Sequence, residues 1–262
     1  MYTIQTYHFC QSAEEAYELL QKNRNNTILA GGAWLRMTRR PIATALDLSR
    51  IPEMSAIGEE EGELVIGAGA SLRAIETHPL TRTYAGGALR RALEPIVGVQ
   101  LRRAATIGGN ICSRHGFSDP ITVLLALGAQ LDLVGVGRLP LEEFLQGPPL
   151  RDVLRSVRLP SGPVQAAYLA RRSSATDLAT LTVATACREG EWRVAVGARP
   201  GCAAVAPNAS RALTQGADSR TAGEIAAAEL AFGSSMRGSA AYRRLIAAVL
   251  VQRCADLVKG EL

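Results

Sequence analysis

Two short apolar stretches of this sequence run straight into paired glycines, and that repetition constrains the fold more than any other feature. The first is Thr27-Ile28-Leu29-Ala30-Gly31-Gly32-Ala33-Trp34-Leu35. The second is Gln100-Leu101-Arg102-Arg103-Ala104-Ala105-Thr106-Ile107-Gly108-Gly109-Asn110, with Asp119-Pro120 beyond it. Paired glycines reach positive φ without steric cost and let consecutive N–H groups converge on a concave anion site. A phosphate suits such a nest. Arg102 and Arg103 would add a favourable field, although neighbouring arginines are more often plain solvated surface. Two strand-to-glycine corners can face one extended ligand, and ligands of α/β sheets commonly bind outside the strands' carboxyl ends.

The text around the corners sets the organisation. Residues 2–9 alternate as a strand, Ser12 is an N-cap for a helix over 13–22, and strands follow at 27–30 and 43–48. This βαβ-like opening ends at Ile51-Pro52-Glu53. A hairpin of 54–58 with 64–68 spans the acidic turn Glu59-Glu60-Glu61-Gly62. Gly67-Ala68-Gly69-Ala70 mimics a dinucleotide fingerprint but lacks its third glycine, and Arg90 stands where an acid would hold a ribose, which argues against a Rossmann NAD site. Helices at 72–76, 87–94 and 120–127 and strands at 131–136 and 154–159 complete this unit, and Pro160-Ser161-Gly162-Pro163 marks its end. Beyond it, strands are expected at 164–169, 181–188 and 192–198 and helices at 175–179, 222–231 and 240–258, with loops at 207–210 and 214–221. The fold class is α+β, with subdomains at 1–53 and 54–160 and a C-terminal domain at 161–262 of three antiparallel strands covered by helices.

The two corners, together with Leu64-Val65-Ile66-Gly67-Ala68, Ile96-Val97-Gly98 leading to Gln100 and Arg102, Leu124-Leu125-Ala126-Leu127-Gly128-Ala129 and Gly238-Ser239-Ala240-Ala241-Tyr242-Arg243, carry a resemblance over essentially the whole chain. The sequence resembles the FAD-binding subunits of the molybdenum hydroxylases, the xanthine dehydrogenase and carbon monoxide dehydrogenase group. That resemblance implies a two-subdomain PCMH-type FAD-binding domain followed by the C-terminal α+β domain. It also implies that FAD is held noncovalently by Ile28, Leu29, Ala30, Gly31, Gly32, Ala33, Trp34 and Leu35 and by Thr106, Ile107, Gly108, Gly109 and Asn110. Ile96 would lie near the adenine and Leu154 beside the flavin ring. Asp119 matches the family's flavin-contacting acid, yet from its own sequence context it reads equally as an N-cap for the next helix. Three departures stand out. Ala33-Trp34 replaces the family's Thr-Asp, Ser113-Arg114-His115-Gly116-Phe117-Ser118 replaces a small Ala-Ser-Pro run, and Leu169 stands near a familiar lysine. Trp34 reads as a core residue or as a lid over the flavin.

Composition bounds what remains. The formal charge of +5 comes from 29 basic and 24 acidic residues, and Lys22 and Lys259 are the lysines, so the basic side is almost wholly arginine. No basic run is interleaved with aromatics, so nucleic-acid binding is not expected. Cys10, Cys112, Cys187, Cys202 and Cys254 form no Cys-x-x-Cys pair, and His8, His78 and His115 show no ligand spacing, so neither a metal nor an iron–sulfur site is expected within the chain. Free thiols, no secretory segment and no apolar run near the roughly 20 residues of a membrane span point to a cytoplasmic protein. The resemblance therefore implies partners: a [2Fe–2S] subunit, a molybdopterin-binding subunit, and NAD or another electron acceptor. Runner-up roles are a stand-alone flavin reductase of the related MurB-like fold, whose substrate acid and proton donor are not evident here, and a flavin-free scaffold subunit, which Ala33-Trp34 would favour.

Overall fold

The first unit comprises β1 (Thr3–Phe9), α1 (Ala13–Lys22), β2 (Thr27–Leu29) and β3 (Pro41–Asp47) in the computed structural model, which describes residues 3–37 and 39–261. Tyr2, where the expected first strand begins, lies outside the described residues. α1 starts where the Ser12 hydroxyl accepts from the Glu15 N–H at 3.1 Å, and Glu14, Glu15 and Lys22 complement the helix poles. β3 lies between β1 and β2 and runs parallel to both. α1 carries the chain from β1 to β2 on the far side of β3 and packs on both β2 and β3, and residues 30–40 make the crossover between the parallel neighbours β2 and β3. Ala30-Gly31-Gly32 consequently leaves the sheet at its carboxyl edge.

The second unit contains β4 (Ile57–Glu60), β5 (Glu63–Gly67), α2 (Leu72–Thr77), α3 (Pro79–Thr83), α4 (Ala88–Leu93), α5 (Val99–Ala104), α6 (Ile107–Ser113), α7 (Asp119–Ala126), β6 (Gln130–Leu133), β7 (Gly137–Pro140), α8 (Leu141–Gln146) and β8 (Leu154–Pro160). Its antiparallel sheet has the order β4-β5-β8-β6-β7. The expected hairpin is present, with Glu61 (φ 51°) and Gly62 (φ 77°) in the left-handed region that tight hairpin turns use. Met54 does not open the strand. It lies in a 3₁₀ turn, Pro52–Ser55, with its side chain buried. The strand expected over 131–136 stops at Leu133, because the Asp152 carboxylate accepts from the Gly135 and Val136 N–H groups, each at 2.9 Å, and turns the chain back into β7.

The third unit has β9 (Gln165–Arg171), β10 (Leu181–Arg188), β11 (Glu191–Gly197), β12 (Ala204–Val205), α9 (Pro207–Thr214), α10 (Ser219–Glu229) and α11 (Ala240–Lys259). Its sheet, β12-β11-β10-β9, has four strands where three were expected, because short β12 adds to the free edge of β11. The helix expected over 175–179 is instead a loop, tied by the Arg172 guanidinium donating to the Asp177 carbonyl at 2.7 Å. A stretch that short cannot nucleate a helix without help. Residues 207–210, read as loop, open α9. Its first N–H groups, on Asn208 and Ala209, donate to the Glu229 carboxylate of α10 at 3.0 and 2.9 Å, a cap that local sequence does not display.

Two cores result. The larger joins the first and second units and takes in Tyr168, Ala184 and Ala195 of the third sheet, while the other lies between that sheet and α9, α10 and α11. α7 sits at the junction, buried at every position and packed on α4, α6, β10 and β11. The Gly-Ser-x-x-Tyr-Arg element now has a physical account. Ser239 caps α11, and Arg243, only 2% exposed, donates to the carbonyls of Thr180, Gly233 and Gly238 and to the Ser235 hydroxyl at 2.6–2.9 Å. Among the described residues no helix is long and apolar enough to cross a membrane.

Candidate functional site

A cleft of about 820 Å³ opens between the carboxyl edge of the first sheet and the second unit. Its walls include Ile28, Ala30 and Gly31 of the first corner, Thr106, Gly108 and Gly109 of the second, and Leu154 of β8. Leu29, Gly32, Ala33, Trp34, Leu35, Ile96, Ile107, Asn110 and Asp119, the other expected site residues, are not on those walls.

The two corners contribute different things. At the first, Gly32 has φ 64°, and the N–H groups of Gly31, Gly32, Ala33 and Trp34 donate to no group among the described residues. Four unspent donors in succession are what a phosphate needs. At the second, the expected nest is not present. Neither Gly108 nor Gly109 has positive φ, because Thr106 caps α6 and both glycines are helical. The N–H groups there are spent internally: Ile107 on the Ala70 carbonyl (3.1 Å), Gly108 on that of Ala68 (2.8 Å), Gly109 on the Thr106 hydroxyl (3.1 Å) and Asn110 on the Thr106 carbonyl (3.1 Å). Gly108 is needed for close approach, since a Cβ there would meet Ala68 at 2.8 Å. This corner supplies shape, and the first supplies donors.

The charges also divide unexpectedly. Arg102 is buried, with its Nε 2.8 Å from Glu76 Oε2 and Nη1 donating to the Ile96 carbonyl at 2.9 Å, so it braces α5 on α2 and adds no open charge. Arg103 is exposed and lines the cleft, together with Cys112, Arg114 and Asp152. Cys112 is exposed at the cavity, and its surroundings push the thiol up to about 11, above the ordinary thiol range. Sequence reasoning missed Cys112, but helical spacing from Gly108 would have placed it on the same face of α6.

Asp119 is the first residue of α7, whose N-cap is Ser118, so the N-cap alternative for Asp119 fails. Its carboxylate is ion-paired with Arg172 and accepts from the Tyr168 hydroxyl. Burial raises the Asp119 carboxyl above its usual range, against the opposing pull of Arg172 and Tyr168. Arg172 is thereby engaged within the fold and presents no open surface charge. Trp34 is half exposed and packs edge-on to His115 at 4.5 Å between ring centroids, while Phe117 stacks on His115 at 4.9 Å. Two of the departures from the family pattern thus touch each other. Apart from the cleft, His8, Cys10 and Glu15 bring potential ligand atoms within 4.8 Å of one another, a grouping that sequence spacing hid. Both Glu15 oxygens there are already engaged, by His8 and by the Gln11 N–H, and burial first, then Glu15 and Asp47, push the Cys10 thiol up to about 11.

Both glycine corners contribute to the walls of one largely apolar cleft, and a run of free N–H donors starts at its edge on Gly31, an arrangement that suits an extended anionic cofactor. The family described as FAD binding domain in molybdopterin dehydrogenase matches residues 2–162, and the chain belongs to it. FAD is accordingly its cofactor, and its place is among the oxidoreductases. The chain is 27% identical over 205 residues to the xanthine dehydrogenase FAD-binding subunit of Escherichia coli O157:H7, covering 72% of this chain and 70% of that protein. It is 28% identical over 264 residues to the nicotine 6-hydroxylase medium subunit of Paenarthrobacter nicotinovorans, covering 92% and 93%. Among solved structures it superimposes on a chain of carbon monoxide dehydrogenase from Hydrogenophaga pseudoflava, in a form lacking the Mo-pyranopterin moiety, with a TM-score of 0.88, 27% identity and 97% coverage of both chains.

Proposed function

We propose that the chain is the FAD-carrying electron-transfer subunit of a molybdopterin-dependent hydroxylase. It receives electrons from a [2Fe–2S] partner, which a molybdopterin-binding partner supplies, and passes them to NAD⁺ or another acceptor. The observation that carries this reading is one cleft walled by Ala30 and Gly31, where the run of free N–H donors begins, and by Thr106, Gly108 and Gly109 at the start of α6. These residues fit FAD. The donors of the first corner would hold the diphosphate, the close approach at Gly108 would leave room for the chain of the cofactor, and Ile28, Met54, Phe144 and Leu154 would keep water from its apolar parts. Bound FAD supplies the redox chemistry, accepting and donating electrons, and the protein's work is to bind and orient it.

Comparison supports the partners: the relatives include a hydroxylase medium subunit and a dehydrogenase FAD-binding subunit by name. Arg36, Arg39 and Arg40 are exposed beside the first corner, without ion pairs among the described residues, and would steer an acidic iron–sulfur protein. The purified chain should show a flavin absorption spectrum and no turnover of a purine, an aldehyde or a pyridine alone. Adding iron–sulfur and molybdopterin subunits from its native host should make substrate bleach the flavin, more slowly at high salt. Hydroxylation by the chain alone would overturn the relay, as would a flavin that substrate never reduces in the assembled complex.

A further inference from the structure

The first corner lies against the end of a helix that opposes it electrically. α5 ends at Ala104, and the space where a Gly31 Cβ would sit is 1.3 Å from the Ala104 carbonyl oxygen. The carbonyl end of a helix carries partial negative charge, so a diphosphate on the Gly31 N–H would meet an unfavourable field there unless a cation stood beside it. The side chains of residues 31–35 provide none, and Arg36, Arg39 and Arg40 beyond them do not line the cleft. Ala33 has no polar group, and Trp34 turns its ring onto His115 and Phe117.

Three charged side chains line the cleft, and two are committed. Arg114 donates to the carbonyls of Gly147 (2.7 Å) and Pro148 (3.0 Å) and lies over the Phe144 ring at 4.2 Å. Asp152 accepts from Gly135 and Val136. Arg103 remains: it is exposed, in the last turn of α5, adjacent to the carbonyl that abuts Gly31, and it has no hydrogen bond or ion pair among the described residues. Its neighbour Arg102 shows that the second arginine of the pair is not needed to hold the helix, since Arg102 alone reaches Glu76 and Ile96.

We propose that Arg103 is the side chain that recognises the diphosphate of the cofactor, offsetting the α5 carbonyls and replacing the side-chain donors that Ala33-Trp34 does not offer. The inference rests on the placement of the diphosphate at the first corner. It makes the site selective for a dinucleotide over the uncharged flavin nucleoside, because a guanidinium forms charge-assisted, bidentate hydrogen bonds with phosphate and has nothing to gain from a ribityl hydroxyl beyond a single neutral-acceptor bond.

The test uses the full chain stripped of flavin, with FAD, ADP and riboflavin titrated into the parent, Arg103→Ala and Arg103→Lys. Arg103→Ala should weaken FAD and ADP by the same factor, about tenfold to a hundredfold, and leave riboflavin and the melting temperature unchanged, because the exposed side chain makes no hydrogen bond or ion pair among the described residues. Arg103→Lys should recover part of the loss, and the dependence of FAD affinity on salt should be shallower in Arg103→Ala. Equal FAD affinity in parent and Arg103→Ala, with ADP bound by both, would overturn the role of Arg103 while leaving the diphosphate at the corner. A parent that binds FAD but not ADP would overturn the placement itself. A loss that extends equally to riboflavin would show that Arg103 shapes the cleft rather than reading charge.

Discussion

Asp119, at the start of α7, and Arg172, just beyond β9, form a largely buried ion pair across the junction between the FAD-binding domain and the C-terminal domain, with the Tyr168 hydroxyl donating to the same carboxylate oxygen. Removing one member of such a pair leaves the other charge unpaired and away from water, which costs about 3–5 kcal/mol. Asp119→Ala is therefore expected to lower the unfolding free energy by that order. The folded fraction should keep its FAD affinity, because Asp119 contributes nothing to the cleft wall. Urea unfolding followed in parallel with flavin titration checks both. A variant that unfolds like the parent yet loses FAD would return Asp119 to direct cofactor contact, as family resemblance implied.

Gly31→Ala is expected to disrupt the site at its source. The added methyl group would coincide with the Ala104 carbonyl, a backbone group that cannot rotate away, so β2 and α5 must separate. Overpacking of this kind costs at least about 1–3 kcal/mol. The measurements are the melting temperature and the flavin content of the purified chain, both expected to fall. Gly32→Ala is the control: its methyl group would meet only the Leu29 side chain, at an ordinary contact of 3.4 Å, and the variant suffers the strain of a positive φ, about 1–2 kcal/mol. Equal flavin content in Gly31→Ala and the parent would separate the first corner from the cofactor.

The contrast between the corners shows what sequence could convey. Strand, helix and hairpin positions were legible because Ser12, the acidic turn and the apolar alternation act locally. The two glycine pairs were legible as special but not as different. Whether a glycine serves φ or close approach depends on what lies opposite, and Ala68 and Ala104 reach Gly108 and Gly31 only through the tertiary fold. Arg102 and Arg103 read identically in sequence, and burial against Glu76 separates them. The same limit explains α9, capped from α10 by Glu229, and β12, which exists only because β11 leaves an edge.

Arg243 gives a prediction away from the cofactor. Its guanidinium satisfies three carbonyls and a hydroxyl that bind the 233–239 loop to α11 and to the start of β10. Arg243→Lys cannot reproduce the planar fork and leaves buried acceptors unpaired, at about 1–3 kcal/mol for each lost partner. Thermal stability should fall markedly, with flavin binding retained below the new melting temperature. Near-parental stability in Arg243→Lys would show that water or loop movement replaces those bonds.

The last prediction concerns pH and the aromatic contact beside the first corner. Burial lowers the His115 imidazole below its usual range, and its Nε2 is enclosed without a hydrogen-bond partner among the described residues. The sign follows from linkage: the unfolded chain takes up a proton near pH 6.5 and the folded chain only at lower pH, so the stability contributed by neutral His115 is present above pH 6.5 and is lost as pH falls through the folded value. Protonation places a partly desolvated charge, with its Nε2 enclosed, against the rings of Trp34 and Phe117, which pack on each other beside the first corner. Trp34 fluorescence, recorded in a Trp192→Phe background, should therefore change on acidification below pH 6.5, and FAD affinity should fall in the same range because the N–H donors of Gly31 to Trp34 lie on the loop that Trp34 anchors. His115→Phe keeps a ring and removes the proton, and should abolish both transitions. An unchanged acid transition in His115→Phe would assign it to another group and detach the aromatic contact from the corner's pH response.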